Sequence, residues 1–231
     1  MQFINFNELV SAPRLNRYLL ATGRNTKKAM TLYRYNLELS QELFTIISIF
    51  EVVLRNKIDN CMKNNGYSND WLYDASQPGG IFFNKKCKNT KDIILDTKKN
   101  LKTYSHDNLI AELMLGFWRY LFANHQFMAC AGILINIFPS LPPHPAKYAY
   151  PNQWIHNDIL FKINNLRNRI AHHQPICFDR RPNKYNQKNT YHVLDDYQTI
   201  LNAFKYMDIN DRDLLYGLDH VRKICHKINK L

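Results

Sequence analysis

TKKAMTLYRYNLELSQELFTIISIFEVVLRNKIDNCMKN, residues 26–64, decides the fold. Met30, Leu32, Tyr33, Leu37, Phe44, Ile47, Val52, Leu54 and Ile58 recur at helical spacing. In the middle of the stretch apolar residues fill nearly every side, the pattern of a central helix buried by its neighbours. Thr26 is the candidate start cap, and Gly66 follows the end.

Outward from this helix the chain reads as further helices. Residues 3–22 form one or two short ones around Pro13, ending at Gly23. Residues 67–80, YSNDWLYDASQPGG, have loop composition. Helices are expected near 89–101, from an Asp107 cap through NLIAELMLGFWRYLFANH, and over 127–138. Residues 139–152 hold five prolines and are read as loop. Asn152 is the expected N-cap of the next helix, residues 178–189 form a polar basic loop, and helices follow near 191–207 and 211–230. No strand pattern and no internal repeat occurs, so the expectation is an all-α fold over residues 1–231 as one domain.

The totals narrow the class. Hydrophobic residues make up 45% and aromatic ones 13%, which excludes a disordered chain. Seven glycines are too few for a turn-rich β fold or a glycine-cradled nucleotide site. The formal charge of +12 attracts polyanions, nucleic acid first and an anionic membrane surface second. Five scattered cysteines with no C-x-x-C pair read as reduced, mostly buried thiols rather than a zinc site. MQFINFNELVSAPR has no basic segment followed by an apolar core, and the longest apolar run, 43–54, contains Glu51. Neither a signal peptide nor a membrane span is expected, and a cytoplasmic protein is.

Positive charge is concentrated in two stretches. Arg14, Arg17, Arg24, Lys27, Lys28 and Arg34 stand without an acid between them. Lys147, Lys162, Arg167, Arg169, Arg180, Arg181, Lys184 and Lys188 face only Asp158 and Asp179. Interleaved tyrosines such as Tyr18, Tyr33, Tyr150 and Tyr185 suit single-stranded nucleic acid, where rings stack on bases and arginines meet phosphates. A solvated basic face without a ligand has the same composition.

NNLRNRIAHHQPI, residues 164–176, is the densest part of this charge. Pro175 ends the helix, and no acid or lysine lies within it. His172 can move a proton near neutral pH, Arg167 can hold a phosphate oxygen, and Asn168 can orient either. Those residue types suit attack of a ribose 2′-OH on its own phosphodiester, which needs no metal and no cofactor and requires RNA. Asn168 and His172 share a helix face, whereas Arg167 and His172 lie about 140° apart around the axis. Either the helix loosens before Pro175, or two copies related by a two-fold axis build the site together. Arg and His at a helix C-terminus also complement the macrodipole, with His173 the better capping residue. A metal set of His172, His173 and Cys177 lacks a second cluster to complete it.

Arg167-Asn168-Arg169-Ile170-Ala171-His172 resembles the R-N-x-x-x-H signature of the HEPN superfamily of α-helical ribonucleases. LRNRIAHHQPI is similar to that of its Abi-like (abortive infection) branch. FEVVLRNKID (50–59) resembles the branch's first core helix, and LMLGFWRYLF (113–122) its Gly-Phe-Trp helix. The resemblance covers about residues 10–180 and leaves 190–231 as a C-terminal helical extension. It implies a HEPN-like bundle and a homodimer with motif helices facing each other across a composite basic cleft. The implied activity is metal-independent endoribonuclease, used in anti-phage defence or as a toxin checked by an antitoxin RNA or protein. By position it assigns Arg167, Asn168 and His172 to catalysis. Glu51, Arg55 and Asn56 map to first-helix polar positions beside the site, with Arg169 and His173 as supporting or RNA-binding residues. The first-helix three equally suit a buried polar brace, while Phe117 and Trp118 are expected in the core. Two other readings stay open: a non-catalytic RNA-binding module, and an interaction protein docking an acidic partner.

Overall fold

The structure, a computed structural model, describes residues 1–231, the side chain of Pro182 excepted. The fold is all-α. Among the described residues the only β pairing is an isolated antiparallel bridge between Phe178 and Lys188. The chain packs as two compact units, one of Met1–Ile47, Asn165–Leu201 and Arg212–Leu231, the other of Ser48–Asn164 and Asn202–Asp211.

The first unit opens with α1 (Phe3–Val10) and α2 (Ala12–Ala21). Pro13 sits in the first turn of α2, where a missing N–H leaves no bond unmade. α3 (Thr26–Asn64) then runs 39 residues. Its cap is Asn25 rather than Thr26: the Asn25 side chain accepts from the Lys28 N–H at 3.0 Å. At the far end Tyr67 N–H reaches Met62 O and Gly66 N–H reaches Lys63 O, with Gly66 at φ 88°. This is a Schellman closure, and the left-handed angle is why glycine stands there.

α3 is not buried on every side. Leu32, Leu39, Leu43 and Ile46, then Phe50, Leu54, Ile58 and Met62, form a fully buried stripe. Leu37, Phe44 and Val52 fall on the opposite face and are 48%, 42% and 41% exposed. Helical spacing placed them together, and only packing decides that their face meets solvent.

The second unit carries shorter helices. The 67–80 segment contains α4 (Trp71–Ser76), held because Trp71 buries its ring and donates to Asp59 Oδ1 at 2.8 Å. α5 spans Lys88–Asn100. The apolar run after residue 105 is two helices, α6 (His106–Glu112) and α7 (Leu115–Tyr120), and Ser105 rather than Asp107 caps the first, accepting from Asn108 N–H at 3.0 Å. Phe117 and Trp118 are buried, and the Trp118 indole donates to Leu113 O at 3.0 Å in the break between them. α8 (Asn124–Ala129) stops because Ala131 and Gly132 take φ of 52° and 73°, and a 3-10 turn follows over Ile133–Ile137. α9 (Pro151–Trp154) starts on Pro151, with Tyr150 at the cap position. Asn152 is buried instead, donating to Phe122 O and Asn124 Oδ1 at 3.1 Å each.

A π-helical turn, Ile155–Ile159, joins α9 to α10 (Leu160–Ala171), the helix carrying the R-N-x-x-x-H residues. α11 (Tyr191–Tyr206), α12 (Asp211–Leu214) and α13 (Val221–Lys230) complete the chain, so the expected 211–230 helix is broken. α13 buries Val221, Ile224, Cys225 and Ile228 at i, i+3, i+4 and i+7. No helix among the described residues is long and apolar enough to cross a membrane.

Candidate nucleic-acid interface

α10 is anchored by Leu166 and Ile170, which are buried, while Arg167, Asn168 and Arg169 are half-buried. Its end is regular rather than loosened. His172 N–H bonds Asn168 O at 2.9 Å, His173 N–H bonds Ile170 O at 2.9 Å, and Gln174 N–H bonds Arg169 O at 2.8 Å. This second Schellman closure places His173 at φ 53°, a left-handed position usually given to glycine. His173 therefore closes the helix through its backbone, and the His172 side chain is left exposed rather than turned inward.

The chain leaving the helix is fixed from two sides. Arg169 Nη2 donates to Pro175 O at 2.7 Å. Asn36 of α3, itself buried, accepts at Oδ1 from Ile176 N–H at 2.8 Å and Cys177 N–H at 3.2 Å. Asn36 looked like an ordinary polar position within α3, and nothing in the sequence marked it. Burial pushes the Cys177 thiol up to about 12, so it stays protonated and inert. Cys177 lies in the core and the two histidines lie outside it, so these three residues form no ligand set. Among the described residues no group of three His, Cys, Asp or Glu side chains could hold a metal.

The histidines open onto a cavity of about 460 Å³, whose wall includes Arg14 and Arg17 of α2, His172, His173, Tyr185 and Asn186. Among the described residues no carboxylate lines it. Burial lowers the Arg17 pKa, opposed by Tyr185, from a value so high that the guanidinium remains charged at neutral pH. Arg167 and Asn168 do not line this cavity. Among the described residues the side chains of Arg167, Asn168 and His172 make no hydrogen bond or ion pair.

Much of the basic charge elsewhere is already committed. Arg180 pairs with Asp196, and Arg181 Nε donates to Asp179 Oδ1 at 2.9 Å. Lys188 donates to Ile228 O and Asn229 O at 3.1 Å each, and Lys147 meets Asp158 at 3.3 Å. Arg14, by contrast, is exposed and has no acid partner among the described residues.

The first-helix polar residues lie in the second unit. Arg55 Nη1 donates to Ala111 O at 3.2 Å while its buried Nε has no partner among the described residues, and this bond ties α3 to α6. Glu51 is half-buried and Asn56 exposed. The same unit holds two clusters that the sequence did not announce. His106 lies between Asp59, with Nε2 at 2.7 Å from Oδ1, and Asp70, with Nδ1 at 3.3 Å. In the π turn, His156 Nδ1 is 2.7 Å from Asn157 Oδ1, its buried Nε2 has no partner among the described residues, and its carbonyl accepts from Arg119 Nε at 3.0 Å. Burial lowers the His156 pKa, and Arg119 lowers it further. These residues are far apart in sequence or embedded in apolar runs, so no spacing could reveal them. No family model, curated protein or solved structure matches the chain.

Proposed function

We propose that this chain is a metal-independent endoribonuclease of the Abi-like HEPN type, acting in the cytoplasm as an abortive-infection or toxin–antitoxin effector. The observation that carries the reading is His172, unpaired and exposed at the mouth of a cavity whose charged wall is entirely cationic. An arginine-lined cavity without carboxylates favours a phosphodiester and repels none of its charge. His172 takes the proton of a ribose 2′-OH as that oxygen bonds phosphorus. The bond from phosphorus to the 5′ oxygen breaks, and a proton passes to the departing oxygen. The products are a 2′,3′-cyclic phosphate and a 5′-hydroxyl. Arg167 and Asn168 lie off the cavity wall, so in this proposal a two-fold homodimer brings them to the His172 of the second copy. Restraint by an antitoxin RNA or protein belongs to the same reading.

One observation favours a non-catalytic RNA-binding module instead: no carboxylate or carbonyl orients the His172 ring, as a second group usually does for a catalytic base. Sequencing RNA 5′ ends after expressing wild type and His172→Ala side by side separates the two. New 5′-hydroxyl ends in wild type alone support the enzyme. Equal end profiles, with RNA binding intact in both, support the binder.

A further inference from the structure

Arg17 is sandwiched. Its guanidinium carbon lies 3.5 Å from the centroid of the Tyr185 ring and 4.2 Å from that of Phe178. The same guanidinium donates through Nε at 2.9 Å and Nη2 at 2.6 Å to the Tyr185 backbone carbonyl. Phe178 is buried, whereas Tyr185 is 55% exposed. The stack therefore ends in a ring with one face covered and the other open, and that ring lines the cavity of His172 and Arg14. An exposed tyrosine in a polar loop ordinarily samples several rotamers. This one is held at its backbone and on one face, so little freedom remains to be lost when something stacks on it.

We infer that the cavity is a subsite for one unstacked nucleotide of single-stranded RNA, its base on the open face of Tyr185 and its phosphate on Arg14. The inference rests on the reading of this cavity as an RNA site and adds a base-binding residue outside the R-N-x-x-x-H stretch. A π-face accepts any base, which gives strand selectivity without strong sequence preference. A base held in a duplex stack cannot reach the ring without first leaving its partner. Arg14 supplies a cation that no acid among the described residues already neutralises.

The test uses the full chain and a labelled 2′-fluoro single strand, which lacks the attacking hydroxyl and stays intact. The probes are that strand, its fully abasic counterpart, its duplex form, and inorganic tripolyphosphate as competitor. Tyr185→Leu keeps bulk over Arg17 but has no π-face, and Arg17 still bonds the residue 185 carbonyl. Tyr185→Leu is expected to weaken the intact strand about 5- to 100-fold, the range of aromatic–base stacking, and to leave the abasic strand unchanged. Tyr185→Phe should bind as wild type does. Arg14→Ala should weaken both strands and reduce competition by tripolyphosphate. Equal loss on intact and abasic strands, no loss on either, or duplex binding as tight as single-strand binding overturns the inference. Thermal melting of each variant identifies loss caused by unfolding, and Tyr185→Phe then serves as the folded control. If wild type cuts no RNA but this binding pattern holds, the nuclease reading fails and the subsite stands. If wild type cuts and Tyr185→Leu leaves KM unchanged, the subsite alone fails.

Discussion

His106 and His172 are the same side chain in opposite settings. His106 is half-buried in the second unit, with both ring nitrogens occupied by carboxylates, and Asp59 is further bonded by Lys63 and Trp71. Among the described residues the His172 side chain in the first unit has no partner, and it faces a cavity lined by no acid. A histidine whose bonds are all made within the protein can hold elements together, but it has nothing left to offer a ligand. The unpaired one contributes little to the fold and keeps both nitrogens for chemistry. Hydrogen-bond saturation separates the structural histidine from the one proposed to be reactive, where residue type does not.

The sharpest way to break this contrast is to remove each ring in turn. On the proposed mechanism His172→Ala should lower the cleavage rate by about 10²- to 10⁴-fold, read as single-turnover cleavage of a labelled RNA. Its unfolding free energy in urea should stay within about 0.5 kcal/mol of wild type, since the side chain is exposed and unpaired among the described residues. His106→Ala should do the reverse. Unfolding should become easier by about 2–3 kcal/mol, because two bonds to carboxylates are lost from a site about 10% exposed. Equal stability losses in the two variants would end the comparison.

A pH series sharpens the structural half. Burial pushes the Asp59 carboxyl up, but hydrogen bonds from His106, Lys63 and Trp71 outweigh it and hold the group below its ordinary value. A lowered native pKa gives stability that is present above the unfolded value of about 3.9 and is lost as pH falls through the native value. Urea midpoints of wild type should therefore drop more steeply below about pH 4 than those of Asp59→Asn. The smallest effect is expected at the helix end. His173→Gly relieves a non-glycine residue at φ 53° and should stabilise the protein by up to about 1 kcal/mol without slowing cleavage. A loss of cleavage there would give the His173 ring a role beyond closing the helix.

Local rules made the class and the longest helix legible. Period, Thr26 and Gly66 bracketed α3 to within a residue, although the cap is Asn25. Pro13 and Gly23 framed α2 in the same way. The misses share a cause. The α6–α7 break depends on the Trp118 indole reaching Leu113 O, and the 67–80 helix on Trp71 reaching Asp59. Asn152 serves Phe122 and Asn124 rather than the helix start. The Asn152 and Trp71 bonds span 28, 30 and 12 residues, beyond a local window, and the Trp118 bond, only five residues long, depends on burial of its ring. At the candidate site the histidines were legible as a helix end, and their exposure follows from the Schellman closure. Charge counting was weaker. It weighted residues 147–188 with eight cations, yet Arg180, Arg181, Lys188 and Lys147 are satisfied internally. Arg14, in the other basic stretch, is the cation left beside His172.

The π turn at Ile155–Ile159 has a consequence for where Arg167 and His172 point. A π turn accommodates one more residue than the α-helix around it. Five residues at π spacing turn about as far as four at α spacing, so removing one residue from that turn would leave a continuous α-helix with little change in the direction of everything downstream. The bearing of the R-N-x-x-x-H residues is thus buffered by a stretch that contains none of them. Loss of one residue there is absorbed, whereas the same loss between Leu160 and Leu166 would turn the motif by about 100° about the axis.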